Sequence, residues 1–275
     1  MGNSINTNVG AMIALQNLNV TSQQLSTTQN RINTGLKVAS AKDNGAVWAI
    51  AQNQRADVSA LDAVKDSLQR GQSIVDVSIS AAETVSDLLN QMKAKALAAT
   101  DASLDTAART ALNADYTTLR EQIKKTVANA SFNGANLLKT AAANLTTLAD
   151  STGTSKLTVA SQVMVLGGAN MDVTATSSFN TATLAATALG LVNSSITKVN
   201  AAIAKLGTGS KSLQTHLDFI GKLQDTMVSG IGNLVDADVA KESATLQALQ
   251  TKQQLGVQAL SIANSSSSIL LSLFR

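Results

Sequence analysis

The sequence contains no cysteine and no proline, and aromatic residues make up only 2% of its 275 residues. Without cysteine the chain forms no disulfides, thiolate metal sites or cysteine nucleophiles, and a single histidine cannot build a typical zinc site. Proline breaks helix interiors, so its absence favours long uninterrupted helices. Hydrophobic residues still make up 44% of the chain. This composition suits thin, closely packed helices better than a thick core.

Charge and long apolar runs are also sparse. The formal net charge is +3 and Lys124-Lys125 is the one adjacent basic pair, so no basic stripe points to nucleic-acid binding. No stretch approaches the roughly 18 apolar residues of a membrane span. The apolar run at 11–15 is too short for a signal peptide, and no Lys or Arg precedes Arg31. If the protein is exported, we expect a route without a cleaved signal peptide.

What the chain does have is heptad spacing, in which apolar residues alternate three and four positions apart. It extends over residues 61–96, 112–130 and 199–234. At 1.5 Å per residue the first and third runs are each about 50–60 Å long. The pattern predicts a mainly α fold, an elongated coiled-coil bundle of two long helices and a shorter one.

Both ends of the chain carry sparser versions of the same pattern, and each stripe is too narrow to form a stable helix alone. We expect the ends to pair as a second coiled coil and then to pack on copies of the chain. Five further apolar residues lie at the end of the sequence, where chain ends usually fray. The predicted self-assembly interface comprises Leu18, Leu25, Ile32, Leu246, Leu249, Val257, Leu260, Ile269, Leu270, Leu271, Leu273 and Phe274.

The middle of the chain, rich in Ser, Thr and Ala, predicts a short solvent-facing insert at 141–187. Val163 and Val165 alternate like Leu157 and Val159, near Gly167-Gly168, which predicts a β-hairpin or a three-stranded patch. The predicted organisation therefore has three parts. They are 1–42 with 236–275 as the terminal coiled coil, 43–140 with 188–235 as the bundle, and 141–187 as the insert.

Few residues are candidates for chemistry. His216 beside Asp218 is expected on the solvated flank of a helix, where the two side chains diverge, so no Ser-His-Asp arrangement is predicted. Gly207 and Gly209 follow no strand, so they are expected to let helices approach closely or to mark a bend. The segment SAKDNGA at 40–46 is either a linker in which Asp43 or Asn44 caps the next helix, or a hinge. The sequence thus predicts no enzyme and no cofactor or metal site.

Several long motifs resemble bacterial flagellins. RINTGLKVASAKDNGAVWAIAQNQR at 31–55 is similar to their N-terminal signature, and residues 236–275 are similar to their C-terminal one. SFNGANLL at 131–138 resembles the turn after the second bundle helix, and VLGGANMDVTAT and LGTGSKSLQTHL resemble the hairpin region and the start of the long return helix. The resemblance covers nearly the whole chain in order and implies a short flagellin without large outer domains.

The resemblance implies a structural subunit that polymerises into the flagellar filament used for swimming. The terminal coiled coil would line the inner core and the bundle would form the shell. Implied partners are copies of the chain, alone or mixed with sibling flagellins, the export apparatus with its chaperone, and hook-associated proteins. The implied location is the extracellular filament. The alternative is a hook–filament junction protein of the same apparatus.

The resemblance also yields two expectations about individual residues. Many flagellins carry an Arg and a Glu that an innate immune receptor recognises, and those places hold Gln91 and Ala94 here. Poor recognition by that receptor is therefore expected. The insert offers Ser177, Ser178 and Thr181 as expected sites of O-linked glycosylation.

Overall fold

The computed structural model describes residues 7–272, and their side chains as far as Ser265. Helices dominate this part of the chain, and two short strands form one sheet. In chain order the elements are α1 Val9–Thr34, α2 Ala41–Ala99, α3 Thr106–Asn129, β1 Leu145–Leu148, β2 Lys156–Val159, α4 Ala182–Val235 and α5 Val239–Ser272. The predicted mainly α fold with a small hairpin is confirmed. None of the helices in this described part is long and apolar enough to cross a membrane.

The chain divides into two compact units. One comprises Met1–Ala56 with Thr226–Arg275, and the other comprises Asp57–Asp225. The three-part organisation expected from the sequence is a different and finer division, and it stays a prediction.

The heptad run of α2 forms the core of the 57–225 unit. Every one of its eleven positions from Leu61 to Ala96 is buried, including Gly71 and Ser78. The Ser78 hydroxyl donates to the carbonyl of Ile74 at 2.8 Å, so this buried polar group is satisfied. Burying a side chain of the size of leucine contributes about 1.5–3 kcal/mol, so this stripe is the main stabilising feature of the unit.

Helices α3 and α4 supply the facing residues. Hydrogen bonds join α2 to α4 at two levels, from the Gln224 side chain to the carbonyl of Val58 at 3.0 Å and from Ser86 to Asn200 at 3.1 Å. An ion pair of 2.7 Å joins Lys95 of α2 to α3. In the predicted α4 run six of the eleven positions are buried and the other five are half-buried, because a narrower stripe of that helix faces its neighbours. The buried members include Val199, Leu206, Leu213 and Ile220.

The hairpin pairs different segments from those that the sequence predicted. β1 runs antiparallel to β2, with Leu145 opposite Val159 and Leu148 opposite Lys156, so the partner of the 157–159 strand precedes it. The segment with Val163 and Val165 is not a strand. Its neighbours Gln162 and Met164 instead donate their N–H groups to residues 137 and 138 at 2.9 and 2.8 Å.

Two glycines explain how the hairpin lies on the bundle. A Cβ atom at Gly209 of α4 would lie 2.6 Å from Cγ1 of Val159, and one at Gly71 of α2 would meet Cγ2 of Thr147. Gly209 therefore permits close approach by a strand rather than by a helix, which corrects the expectation from the sequence. A Cβ at Gly207 would meet nothing within 4 Å, and α4 continues through both positions.

Candidate self-assembly surface

Helices α1 and α5 lie antiparallel in the unit that contains the chain ends. Asn8 caps α1, because its side-chain oxygen accepts from the Ala11 N–H at 3.0 Å, and its Nδ2 donates to the carbonyl of Ala263 at 2.7 Å. Near the other end of α1, Arg31 pairs with Glu242 of α5 at 3.1 Å. Contacts at both ends therefore fix the register of the two helices.

The seam between these helices is only partly apolar. Leu18, Leu25 and Ile32 are half-buried, and Thr21 and Thr28 between them are the more deeply buried, at 3% and 5% exposure. Thr21 donates its hydroxyl to the carbonyl of residue 17 at 2.8 Å. Buried hydroxyl groups contribute less hydrophobic stabilisation than leucine would, so the seam is weak for its length.

The α5 side of the seam matches the predicted stripe with one exception. Leu249 is buried, and Leu246 and Leu260 are half-buried. Val257 is 53% exposed, because Gly256 takes the inward position, where a Cβ would lie 3.4 Å from Leu18. Val257 therefore lies outside the α1–α5 seam, and its contact with neighbouring subunits stays a prediction.

Further apolar side chains of α1 and α5 are exposed outside the seam. Nine large apolar side chains of the two helices are 45–71% exposed. We call this set the outer face, and it comprises Val9, Met12, Ile13, Leu15, Val20, Val239, Leu255, Val257 and Ile262. Clustered exposed apolar side chains mark sites of protein contact in general. Heptad spacing identifies only Val257 of this set, although the apolar run at 11–15 indicates three others.

The segment between α1 and the body of α2 is held by backbone and carboxylate hydrogen bonds. The N–H groups of Lys37 and Val38 donate to the carbonyl of residue 235 at 2.6 and 3.2 Å. Asp43 accepts from the N–H groups of residues 40 and 39 at 2.9 and 3.1 Å, and the Ser40 bonds lower the pKa of Asp43. Asn44 accepts from the N–H of Val47 at 3.1 Å. Of the two alternatives, Asn44 makes the N-cap contact to the residue three positions on, whereas Asp43 bonds back to the residues before it.

The remaining predicted interface residues are Ile269, Leu270, Leu271, Leu273 and Phe274. Their side chains lie outside the described residues, so their place in the interface stays a prediction.

The other residues singled out in the sequence lie in the 57–225 unit. Gln91 and Ala94 are both exposed on α2. Ser178 and Thr181 are exposed, whereas Ser177 is half-buried and accepts from the Thr174 N–H at 3.0 Å.

His216 is not simply a solvated residue. Its Nε2 lies 2.8 Å from the carbonyl oxygen of Ala149, and its ring contacts that of Phe219 with centroids 5.8 Å apart. It therefore connects α4 to the loop after β1. Asp218 points elsewhere and accepts from Gln214 at 2.9 Å. Within the described range, no three His, Asp or Glu side chains are grouped so as to hold a metal ion.

Paired terminal helices with exposed apolar faces are typical of structural subunits that assemble with copies of themselves. The family comparison identifies the kind of subunit. A model of the bacterial flagellin N-terminal helical region matches residues 5–143, and one of the bacterial flagellin C-terminal helical region matches residues 189–274. The chain belongs to the bacterial flagellin family.

Full-length relatives agree with this assignment. The chain is 58% identical to flagellin FljK of Caulobacter vibrioides over 273 residues, which are 99% of either chain. It is 36% identical to a flagellin of Brucella melitensis over 281 residues, again 99% of either chain. The protein is thus a structural subunit of the flagellar filament, an extracellular helical polymer of flagellin. The predicted short form without large outer domains fits these lengths.

Solved structures agree at the level of the fold. Bacillus cereus flagellin gives a TM-score of 0.50 at 20% identity, covering 56% of this chain and 88% of that one. A hook-associated protein described as putative, from Vibrio parahaemolyticus, gives 0.54 at 13% identity, covering 70% of this chain and 100% of that one. At these identities the likeness shows the fold alone, and none of the comparisons favours the hook–filament junction role.

Proposed function

We propose that this flagellin polymerises through the outer face of α1 and α5 together with the apolar residues at 269–274. The observation that carries the proposal is the exposure of nine large apolar side chains on two helices that are already paired with each other. Removing apolar surface from water contributes about 25 cal/mol per Å². Covering the outer face with neighbouring subunits therefore supplies the drive for assembly.

The shape of the polymer follows from the contact of unlike surfaces on neighbouring subunits. A contact between two unlike surfaces repeats from copy to copy, and when the rotation does not close it produces an open helical fibre. In this proposal residues 1–42 and 236–275 form the inner core of the filament. Residues 43–140 with 188–235 form the shell, and 141–187 faces solvent. The role is structural, without catalysis.

Before assembly another protein must cover the same apolar surfaces. We propose that an export chaperone binds the apolar C-terminal residues, that the flagellar export apparatus secretes the chain without a cleaved signal peptide, and that hook-associated proteins contact the ends of the polymer. A ligand that binds only the unassembled form holds it there by mass action. Leu255 and Ile262 of α5 are exposed, which supports the need for a protein that shields them before assembly.

Two finer proposals concern the 57–225 unit. Gln91 and Ala94 are exposed and uncharged, which supports poor recognition by the innate receptor, and a receptor-reporter assay with the monomer is expected to give little activity. Among the candidate glycosylation sites, exposure favours Ser178 and Thr181 over Ser177. An intact mass above the sequence mass is the expected sign of that modification.

The main proposal is tested by substitutions on the outer face. Ile13→Ser combined with Leu255→Ser is expected to raise the concentration needed for polymerisation at least tenfold, because two apolar contacts worth about 1.5–3 kcal/mol each are lost. The matched control is Gln16→Ser with Lys252→Ser, on exposed polar positions of the same helices. Pelleting of filaments and electron microscopy measure the effect. Wild-type polymerisation by the Ile13/Leu255 variant would contradict the proposal.

A further inference from the structure

The sequence contains two Asn-Gly dipeptides, Asn44-Gly45 and Asn133-Gly134. In this pair the glycine has no Cβ, so its backbone nitrogen can approach the side-chain carbonyl carbon of the asparagine with little steric hindrance. The two copies have the same chemistry but different surroundings. They therefore form a natural comparison within one chain.

Asn133-Gly134 forms the tip of an exposed two-residue turn after α3. Both residues have positive φ, 49° and 80°, as in the turns that favour this dipeptide. Phe132 and Ala135 exchange backbone hydrogen bonds of 2.9 and 3.0 Å across the turn. Within residues 7–272, neither the Asn133 side chain nor the Gly134 N–H has a hydrogen-bond partner. Both reacting groups are open to water.

Asn44-Gly45 is also exposed, but its side chain is engaged. The Asn44 carbonyl oxygen accepts the N–H of Val47 at 3.1 Å, and Gly45 already lies in the helical part of α2. Turning this side chain toward the Gly45 nitrogen breaks the cap and leaves the Val47 N–H without its acceptor. The geometry thus separates two dipeptides that sequence alone treats alike.

We propose that Asn133 is a site of spontaneous deamidation in this flagellin and that the cap protects Asn44. The Gly134 nitrogen loses its proton and attacks Cγ of Asn133, a C–N bond forms, and the side-chain amide leaves as ammonia. Water then adds to either carbonyl of the resulting succinimide and breaks one C–N bond. The products are aspartate, or isoaspartate with the backbone rerouted through the side chain. No oxidant is needed, and each event adds one negative charge.

The turn lies next to a buried anchor, so the isoaspartate product has a structural consequence. Asn136 is buried, donates to the carbonyl of Val127 at 2.8 Å, and accepts from the N–H groups of Leu138 and Lys139 at 2.8 and 3.2 Å. An extra methylene in the two-residue loop disturbs the pairing of the adjacent residues and the placement of Asn136. Modified chains therefore lose thermal stability in the 57–225 unit.

The test incubates the folded full chain at mildly alkaline pH in heavy-oxygen water, then digests it in ordinary water at acid pH and maps the peptides by mass spectrometry. Label incorporated during incubation marks sites modified before digestion. We expect label at residue 133 to exceed label at residue 44 severalfold in the folded chain. In urea the two rates should converge, because the cap is lost. Equal labelling in the folded chain, more label at residue 44, or no label at residue 133 would overturn the proposal.

Two further measurements sharpen the result. The Asn133→Gly variant keeps a residue that tolerates positive φ and should lose the labelled peptide while retaining its helix content. If that variant does not fold, the ratio of label at residue 133 to label at residue 44 in the wild-type chain still tests the proposal. Chains separated by their added charge should melt below the unmodified chain, and an unchanged melting temperature would overturn the structural consequence.

Discussion

At the scale of single residues, two threonines control how firmly the chain ends pair. Thr28 is only 5% exposed in the α1–α5 seam, where it lines a groove between the two helices. Its hydroxyl stands where valine would bury a second methyl group, and burying a group of that size contributes about 0.8 kcal/mol. Threonine instead of valine at position 28 therefore keeps the α1–α5 seam weak.

Thr28→Val is therefore expected to stabilise the pairing of α1 with α5 by up to about 1 kcal/mol. The matched control is Thr27→Val, because Thr27 is exposed and donates to the carbonyl of Gln23 at 3.0 Å. Hydrogen exchange of α1 amides in the monomer measures the difference. Equal protection in the two variants would count against the weak seam.

Two neighbouring glycines of α4 give a second contrast between single residues. Gly209→Ala places a Cβ against Val159, and overpacking of this kind costs about 1–3 kcal/mol. Gly207→Ala meets nothing and should stabilise the helix by about 1 kcal/mol. Urea unfolding midpoints should move in opposite directions. Shifts of the same sign would show that the hairpin does not lie against Gly209 as described.

At the scale of elements, the loop before α4 is fixed by a carboxylate and a buried hydroxyl. The Ser195 hydroxyl accepts from the N–H groups of Asp172 and Val173 at 2.8 and 3.1 Å. The Asp172 carboxylate accepts from Lys198 at 2.6 Å and from the Ser194 hydroxyl. Hydrogen bonding to Lys198 and then to Ser194 lowers the pKa of Asp172 from its ordinary value of 3.8.

A lowered pKa in the folded state means that the carboxylate stabilises the fold above pH 3.8, and that this contribution is lost as the pH falls through the folded value. Asp172→Asn should therefore lower stability at neutral pH and reduce its decline between neutral pH and strong acid. The contribution of the Asp172–Lys198 ion pair to stability is modest because both side chains are partly exposed. Asp87→Asn, on an exposed carboxylate of α2, is the control. If the melting temperatures of wild type and Asp172→Asn fall in parallel as the pH is lowered, the stabilising role of the Asp172 carboxylate is contradicted.

At the scale of the whole molecule, the sequence predicted the inside of the protein better than its outside. Every heptad position from Leu61 to Ala96 is buried, because burial in a helix bundle follows periodicity, although Ile74 and Leu88 are buried outside the series. Heptad spacing could not find Met12 or Ile262, because residues off the heptad register are normally solvent-exposed and polar. The alternation of apolar residues in the insert also paired the wrong strands, because β1 has only four residues and its partner is fixed by the backbone register with β2.

In the proposed assembly, the contact surface draws on α1 and α5 together. Deleting the residues after Leu260 should leave a soluble, helical protein that does not polymerise, because it loses Ile262 and the five terminal apolar residues. The control replaces the hairpin loop at 150–154 by Asn-Gly, which keeps β1 and β2 and removes no apolar residue of the terminal helices. Sedimentation and electron microscopy give the readout, and filaments from the C-terminal truncation would refute the role of that segment.

The most direct measurement is a cryo-electron map of filaments assembled from this chain at a resolution that shows side chains. The outer face, from Val9 to Val20 on α1 and from Val239 to Ile262 on α5, is predicted to lie within about 4.5 Å of neighbouring subunits. Filaments in which these side chains face water, with all contacts made by residues 57–225, would contradict the account.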